Sequence, residues 1–365
     1  MITGSPHPLA VLRARIDALN ADFVRLVSER ATVAEAIAEA KRAHGLAMHD
    51  PEREHAMLCA LLAANPGPLQ NDVLAGLLTE LFSACRSHME DDGRRRLRVM
   101  RAAGASDKHV DVRNARIGAE PVLIAGPCSV ESEGQIHTTA AFLRSRGVRW
   151  LRGGAYKPRT SPYDFQGLGA PALTWLGEAA RAHEMVCISE IVDPRHLDRM
   201  CEHVDVLQVG ARNMQNFELL KEVGKSKRPV LLKRGLHARI DELLHAAEYV
   251  AREGNEAIIL CERGIRTFEP LTRNTLDLSA VALLRQMSHL PVLVDVSHAA
   301  GRRDILAPLG RAALAVGAQG LMVEVHPLPA AARSDAQQQL DFQQLDAFID
   351  GLDPFFVRER RRAAG

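Results

Sequence analysis

The sequence carries no surplus of charge: 46 Lys and Arg face 45 Asp and Glu, a formal net charge of +1. That balance leaves no electrostatic footprint for nucleic acid or for an anionic membrane. No apolar run approaches the roughly 20 residues of a spanning helix, and Arg13 and Arg15 interrupt any secretory core near the start. Six cysteines (Cys59, Cys85, Cys128, Cys187, Cys201, Cys261) show no paired spacing, which argues against a disulfide frame and for reduced thiols in a cytoplasmic protein. The GxGxxG phosphate loop of a doubly wound sheet is also missing. With 47% apolar and 25% charged residues, wholesale disorder is excluded. At about 150 residues per domain, 365 residues predict two domains, or one large and one small.

What is present divides into two patterns. Leu9, Leu12, Ile16, Leu19, Phe23 and Leu26 alternate steps of three and four, the seam of a long amphipathic helix. The seam continues onto Arg30, then Val33, Ile37 and Ala40; the bland account of that charge is an arginine snorkelling to water. Gly45 ends this helix, and Asp50 as N-cap with Pro51 at the first position opens a second. Asn65-Pro66-Gly67-Pro68 breaks that one, and a third carries Leu74, Leu77, Leu78, Leu81, Phe82, Cys85 and Met89 on one face. Three helices of unequal length cannot bury the first seam alone, so the module is expected to pair with another copy. The basic run Arg94-Arg95-Arg96 and the small residues Gly104, Ala105 and Ser106 read as a solvated linker over 91–111.

Beyond Pro121, short β-rich runs recur: Val122–Ala125, Trp150–Arg152, Val186–Ser189, Val206–Val209, Val230–Lys233, Ala257–Cys261, Val292–Asp295 and Leu321–Glu324. Amphipathic helical stretches such as His137–Arg146 and Ile240–Glu253 lie between them. Eight strand–helix repeats in this length have the rhythm of a TIM barrel. The expected class is α/β: a TIM (β/α)8 barrel over 112–365, preceded by a small three-helix all-α domain over 1–90.

Catalytic groups of such barrels lie at the C-terminal ends of the strands. Once the barrel closes, the last two strands and the first are neighbours, which brings Cys128, His298 and Glu324 together, with Asp335 as a possible fourth ligand. One thiolate, one imidazole and two carboxylates suit one divalent metal of the Mn, Fe, Co or Zn kind better than Mg or Ca. The alternative is a buried free cysteine beside unrelated polar residues. A second group is cationic: Arg152, Lys157, Arg159, Arg212, Lys233 and Arg263. So many positive charges at one mouth imply a small, multiply anionic, phosphorylated substrate.

These residues sit in strings such as Ala125-Gly-Pro-Cys-Ser-Val-Glu-Ser132, Lys157-Pro-Arg-Thr-Ser-Pro162, Asp295-Val-Ser-His298 and Glu324-Val-His-Pro327. Along the whole barrel they closely resemble 3-deoxy-D-arabino-heptulosonate 7-phosphate (DAHP) synthases of the type I, short-barrel kind, enzymes of the shikimate pathway to aromatic amino acids. The resemblance implies condensation of phosphoenolpyruvate with erythrose 4-phosphate. It implies a single metal on Cys128, His298, Glu324 and Asp335, and phosphoenolpyruvate on Arg152, Lys157, Arg212, Lys233 and Arg263. Pro158, Arg159, Thr160 and Ser161 would then line the erythrose 4-phosphate site. The sister octulosonate 8-phosphate synthases differ in that segment. Two departures, Val296 for proline and Gln319 for aspartate, touch no implied ligand.

The helical segment is similar to all-helical chorismate mutases, and Arg13, Arg30, Lys41, Asp50, Arg53 and Glu54 match that family's active-site positions. Methionine stands at Met89, where the family has Gln or Glu; Glu90 is one residue on, roughly 100° around the helix. The implied protein is a bifunctional, feedback-controlled homo-oligomer, a dimer through the helical domain, with a tetramer as the larger alternative. The alternative is a helical domain that senses chorismate or prephenate without turning it over.

Overall fold

A computed structural model describes residues 8–95, 97–159 and 161–352, and the chain divides into two compact units, Met1–Arg96 and Leu97–Gly365. The first is built from α1 (Pro8–Ala43), α2 (Pro51–Ala63) and α3 (Asn71–Arg95). Asp50 accepts from the Arg53 N–H at 3.0 Å and so satisfies an orphan donor at the start of α2, where Pro51 needs none. Among the described residues of this unit, Ala38, Phe82 and Cys85 are the buried apolar ones. The α1 seam stays open: Leu12, Ile16 and Phe23 are 64%, 58% and 63% exposed.

Within the stretch expected as a linker, 91–111, several residues make defined contacts. Helix α3 runs on to Arg95, and Val99 is already buried, its N–H donating to Glu248 Oε2 at 3.3 Å. The Arg101 guanidinium then donates to the carbonyls of Arg285 and Ser288 at 3.0 and 2.9 Å. Charge and small residues dominate the composition here, but the apolar pair Leu97 and Val99 packs into the barrel's core and decides the placement.

The second unit opens with an antiparallel hairpin, β1 (Val110–Val112) and β2 (Ala115–Ile117), which was not expected. Eight parallel strands follow: β3 (Val122–Gly126), β4 (Trp150–Arg152), β5 (Val186–Ile191), β6 (Val206–Val209), β7 (Val230–Lys233), β8 (Ile258–Glu262), β9 (Val292–Asp295) and β10 (Gly320–Glu324). They close in the order β10-β3-β4-β5-β6-β7-β8-β9, the TIM barrel read from the sequence. Alternate side chains fill the interior, among them Ile124, Trp150, Ile188, Leu231, Leu293 and Met322, in one cluster with Val110, Val112 and Ile117 of the hairpin. The hairpin therefore closes the N-terminal end, and Gln319 fastens it there by donating to Gly118 O at 2.6 Å. No helix among the described residues is long and apolar enough to cross a membrane.

Strand β3 ends on Gly126 because nothing larger fits: a Cβ there would stand 1.9 Å from the Arg152 carbonyl oxygen, at φ +151°. Gly126→Ala should cost about 3 kcal/mol or more, the upper range of core overpacking. A melting temperature within about 2 °C of wild type by calorimetry would contradict this placement.

Candidate active sites

Strand alternation sorts the polar residues at the barrel's C-terminal end. Two positions beyond the interior residues Trp150, Ile188, Leu231, Cys261, Leu293 and Met322 come Arg152, Glu190, Lys233, Arg263, Asp295 and Glu324. The interior is thus apolar below and charged at the top. Arg234 and Glu262 have the opposite parity and pair with each other at 2.9 Å, away from that layer.

Two ion pairs cross the layer, Arg152 to Glu324 at 2.7 Å and Lys233 to Asp295 at 2.5 Å. Arg152 also donates to Pro127 O at 2.8 Å but keeps a buried Nε without a partner. Arg263 is buried with no carboxylate at ion-pair distance among the described residues, and burial pulls its guanidinium below its ordinary range. A cation left unpaired in a dry site calls for an anion. Lys157 donates to the Cys128 carbonyl at 2.9 Å and to its sulfur at 3.1 Å.

The ligating atoms of Cys128, Glu324 and Asp335 all lie within 4.8 Å of one another. Burial, and Glu324 after it, pushes the Cys128 thiol up to about 12, so the thiol keeps its proton and donates it to Asp335 Oδ2 at 3.0 Å. Burial would raise both carboxyls. His298 and Arg152 instead hold Glu324 low, and Arg273 and the Cys128 thiol hold Asp335 well below the carboxylate range. Beside them, His298 donates from Nδ1 to Asp295 Oδ2 at 2.8 Å, and its Nε2 stands 3.6 Å from Glu324 Oε1. Burial keeps this imidazole's pKa below normal despite Asp295. Two carboxylates, an imidazole and a thiol whose proton a cation can replace form a donor set that fits a divalent metal.

Asp295, the last residue of β9, orients His298 twice over: Oδ1 accepts from the His298 N–H at 2.9 Å as a helix N-cap while Oδ2 takes the ring. Its spacing three residues before a candidate ligand was the available signal. Arg159 touches Ser334 and stands 3.8 Å from Asp335, in a loop that also carries Pro158 and Ser161. Thr160 lies outside the described residues. Arg212 is exposed in the turn after β6, and the structure does not bring it into the buried layer.

In the helical unit, Arg30, Lys41, Asp50, Arg53, Glu54 and Met89 line one cavity of about 180 Å3. Arg30 lies 4.8 Å over the Phe82 ring and leaves a buried Nη1 unpartnered, so it turns inward rather than to water. Lys41 donates to Met48 O at 3.1 Å. Glu54 pairs with Arg86, a cation from another helix that no sequence motif marks, and its other oxygen is 3.5 Å from His49. Arg13 is not part of this cavity: it stands 17 residues before Arg30 on α1, about 25 Å along the axis. The Glu90 side chain lies outside the described residues.

Comparison with known proteins agrees for both units. Residues 104–353 match the DAHP synthetase I family and residues 12–90 match chorismate mutase type II. A phospho-2-dehydro-3-deoxyheptonate aldolase of Thermotoga maritima is 54% identical over 255 residues, covering 70% of this chain and 75% of its own. A 2-dehydro-3-deoxyphosphooctonate aldolase of Acidithiobacillus ferrooxidans is 31% identical over 58% of this chain and 81% of its own. The crystal structure of the Thermotoga maritima enzyme superposes with a TM-score of 0.68 at 51% identity, covering 70% of this chain and 76% of that one. The chain therefore belongs to the DAHP synthetase I family and carries a type II chorismate mutase domain ahead of its barrel.

Proposed function

We propose that the barrel condenses phosphoenolpyruvate with erythrose 4-phosphate to DAHP and phosphate, and that the helical unit rearranges chorismate to prephenate. The observation that carries the first half is a buried Arg263, with no carboxylate at ion-pair distance among the described residues, at the mouth that holds the Cys128, Glu324 and Asp335 cluster. A bound Mn, Fe, Co or Zn ion supplies Lewis-acid polarisation of the aldehyde oxygen. Cys128, His298, Glu324 and Asp335 would hold it. Lys157, Lys233, Arg263 and the free edge of Arg152 bind phosphoenolpyruvate's phosphate and carboxylate, with Arg212 closing from its exposed turn. Arg159, with Pro158, Thr160 and Ser161, takes the aldose phosphate. Carbon 3 of phosphoenolpyruvate then attacks the aldehyde carbon, water adds at carbon 2, and phosphate leaves from the resulting hemiketal.

In the helical unit no nucleophile is needed. Arg30 and Arg53 clamp the two carboxylates in the reactive conformer, Lys41 donates to the ether oxygen as its bond breaks, and Asp50 and Glu54 hold the ring hydroxyl. Arg13 is too far from its own cavity, so a second copy docks along the open α1 seam and supplies it. The functional division follows the helical segment 1–90 and the barrel from 112. A cytoplasmic setting agrees with six free cysteines.

One observation favours a second reading for the helical unit. Met89 on the cavity wall cannot donate to the ether oxygen, as a purely sensory module would allow. Loss of chorismate absorbance with the purified chain separates the two: turnover supports the mutase, and binding without turnover supports the sensor. For the barrel, erythrose 4-phosphate should be preferred over arabinose 5-phosphate at least tenfold in kcat/KM. The reverse preference would move the chain to the octulosonate branch.

A further inference from the structure

Gln338 and Gln339 follow Asp335 closely, and both side chains are fully buried. An amide without a charge has no reason to be dry unless all its hydrogen bonds are made. Gln338 Oε1 accepts from Arg273 Nη1 at 2.8 Å, and its Nε2 donates to Glu324 Oε2 at 2.6 Å. The guanidinium can only donate and the carboxylate can only accept, so the two neighbours fix which way the amide faces. The same Arg273 Nη1 donates to Asp335 Oδ1 at 3.0 Å. An unbroken chain therefore runs Asp335, Arg273, Gln338, Glu324, and joins the carboxylate that ends β10 to one inside the loop that follows it. Gln339 closes a second link: its Oε1 accepts from the Cys128 N–H at 2.9 Å while its Nε2 donates to Ser334 O at 2.8 Å.

We propose that Gln338 is a positioning residue that sets divalent-metal affinity, holding Glu324 and, through Arg273, Asp335 at a separation a cation can bridge. The inference rests on the metal reading above but concerns a residue that ligates nothing. An orienting partner of a metal ligand is worth 10- to 100-fold in affinity. Replacing the amide with an apolar group of similar length leaves Glu324 free to turn and Arg273 without its shared acceptor.

The test is Mn2+ binding to the full-length, chelator-stripped chain by calorimetry, with Gln338→Met and Arg273→Met compared to wild type. Each variant should bind Mn2+ roughly 10- to 100-fold more weakly, and the double variant should be no worse than about the weaker single one, because both break one chain. Gln319→Met is the control for a merely structural loss. That glutamine is equally committed, accepting from Arg285 Nη1 at 2.7 Å and from the Val292 N–H at 3.1 Å, but it sits at the barrel's other end. It should lower the melting temperature and leave Mn2+ affinity unchanged. Affinity within twofold of wild type in Gln338→Met and in Arg273→Met overturns the inference, as does an equal loss in Gln319→Met. If wild type itself binds no Mn2+, the metal reading falls first.

Discussion

Arg30→Ala should abolish chorismate turnover and, with it, any inhibition of the barrel by chorismate or prephenate. Arg30 presents a buried guanidinium nitrogen with no partner in a cavity that also holds Lys41 and Arg53. Removing one member of a desolvated charge pair costs roughly 2–5 kcal/mol, so kcat/KM should fall by about 10²-fold or more. Synthase activity without inhibitor should not change, since the substitution lies in the helical unit. Folding is a modest concern, because the side chain's other contact is the Phe82 ring at 4.8 Å. The check is a pair of assays on one preparation: chorismate loss, and phosphoenolpyruvate consumption with and without prephenate. A variant that still turns over chorismate removes Arg30 from the mutase; one that is inhibited as wild type removes the helical unit as the sensor.

Cys128→Ser should lose most synthase activity at low metal and recover part of it at high metal. The sulfur is fully buried between Asp335, Ser334 and Lys157, so no water can take its place without rearrangement. Substitutions that only orient a ligand cost 10- to 100-fold in metal affinity; loss of the softest ligand itself should cost on the order of 10²-fold or more. Chorismate turnover should stay at the wild-type level. Metal content after dialysis, read beside both activities, separates lost binding from lost folding. Full metal occupancy and full synthase activity in Cys128→Ser would remove the thiol from the site.

Much of this was legible because period-2 alternation and strand closure are strong constraints. The runs ending at Arg152, Lys233, Asp295 and Glu324 are strands that stop where an interior apolar residue is followed, two positions later, by a charge. The same rule distinguishes Lys233 and Arg263 from their neighbours Arg234 and Glu262, which look equivalent in the sequence. What stayed hidden depends on chain reversal in three dimensions. Gln338 and Gln339 carry no signal of their own; only the fold returns them to Glu324 and Cys128. Arg86 carries no signal in the sequence, because its partner, Glu54, lies on another helix. Within 91–111 the packing of Leu97 and Val99 is masked by the basic run beside them, which dominates the composition but not the contacts.

The central claim is that one divalent cation at the Cys128, Glu324 and Asp335 cluster serves a condensation of phosphoenolpyruvate with erythrose 4-phosphate. Its direct measurement is the loss of phosphoenolpyruvate absorbance in the full-length chain after chelation and after return of Mn2+, each with and without erythrose 4-phosphate. The account predicts consumption only when metal and aldose phosphate are both present, with one phosphate released per phosphoenolpyruvate consumed. Undiminished consumption by the metal-stripped chain, or equal consumption without erythrose 4-phosphate, would contradict it.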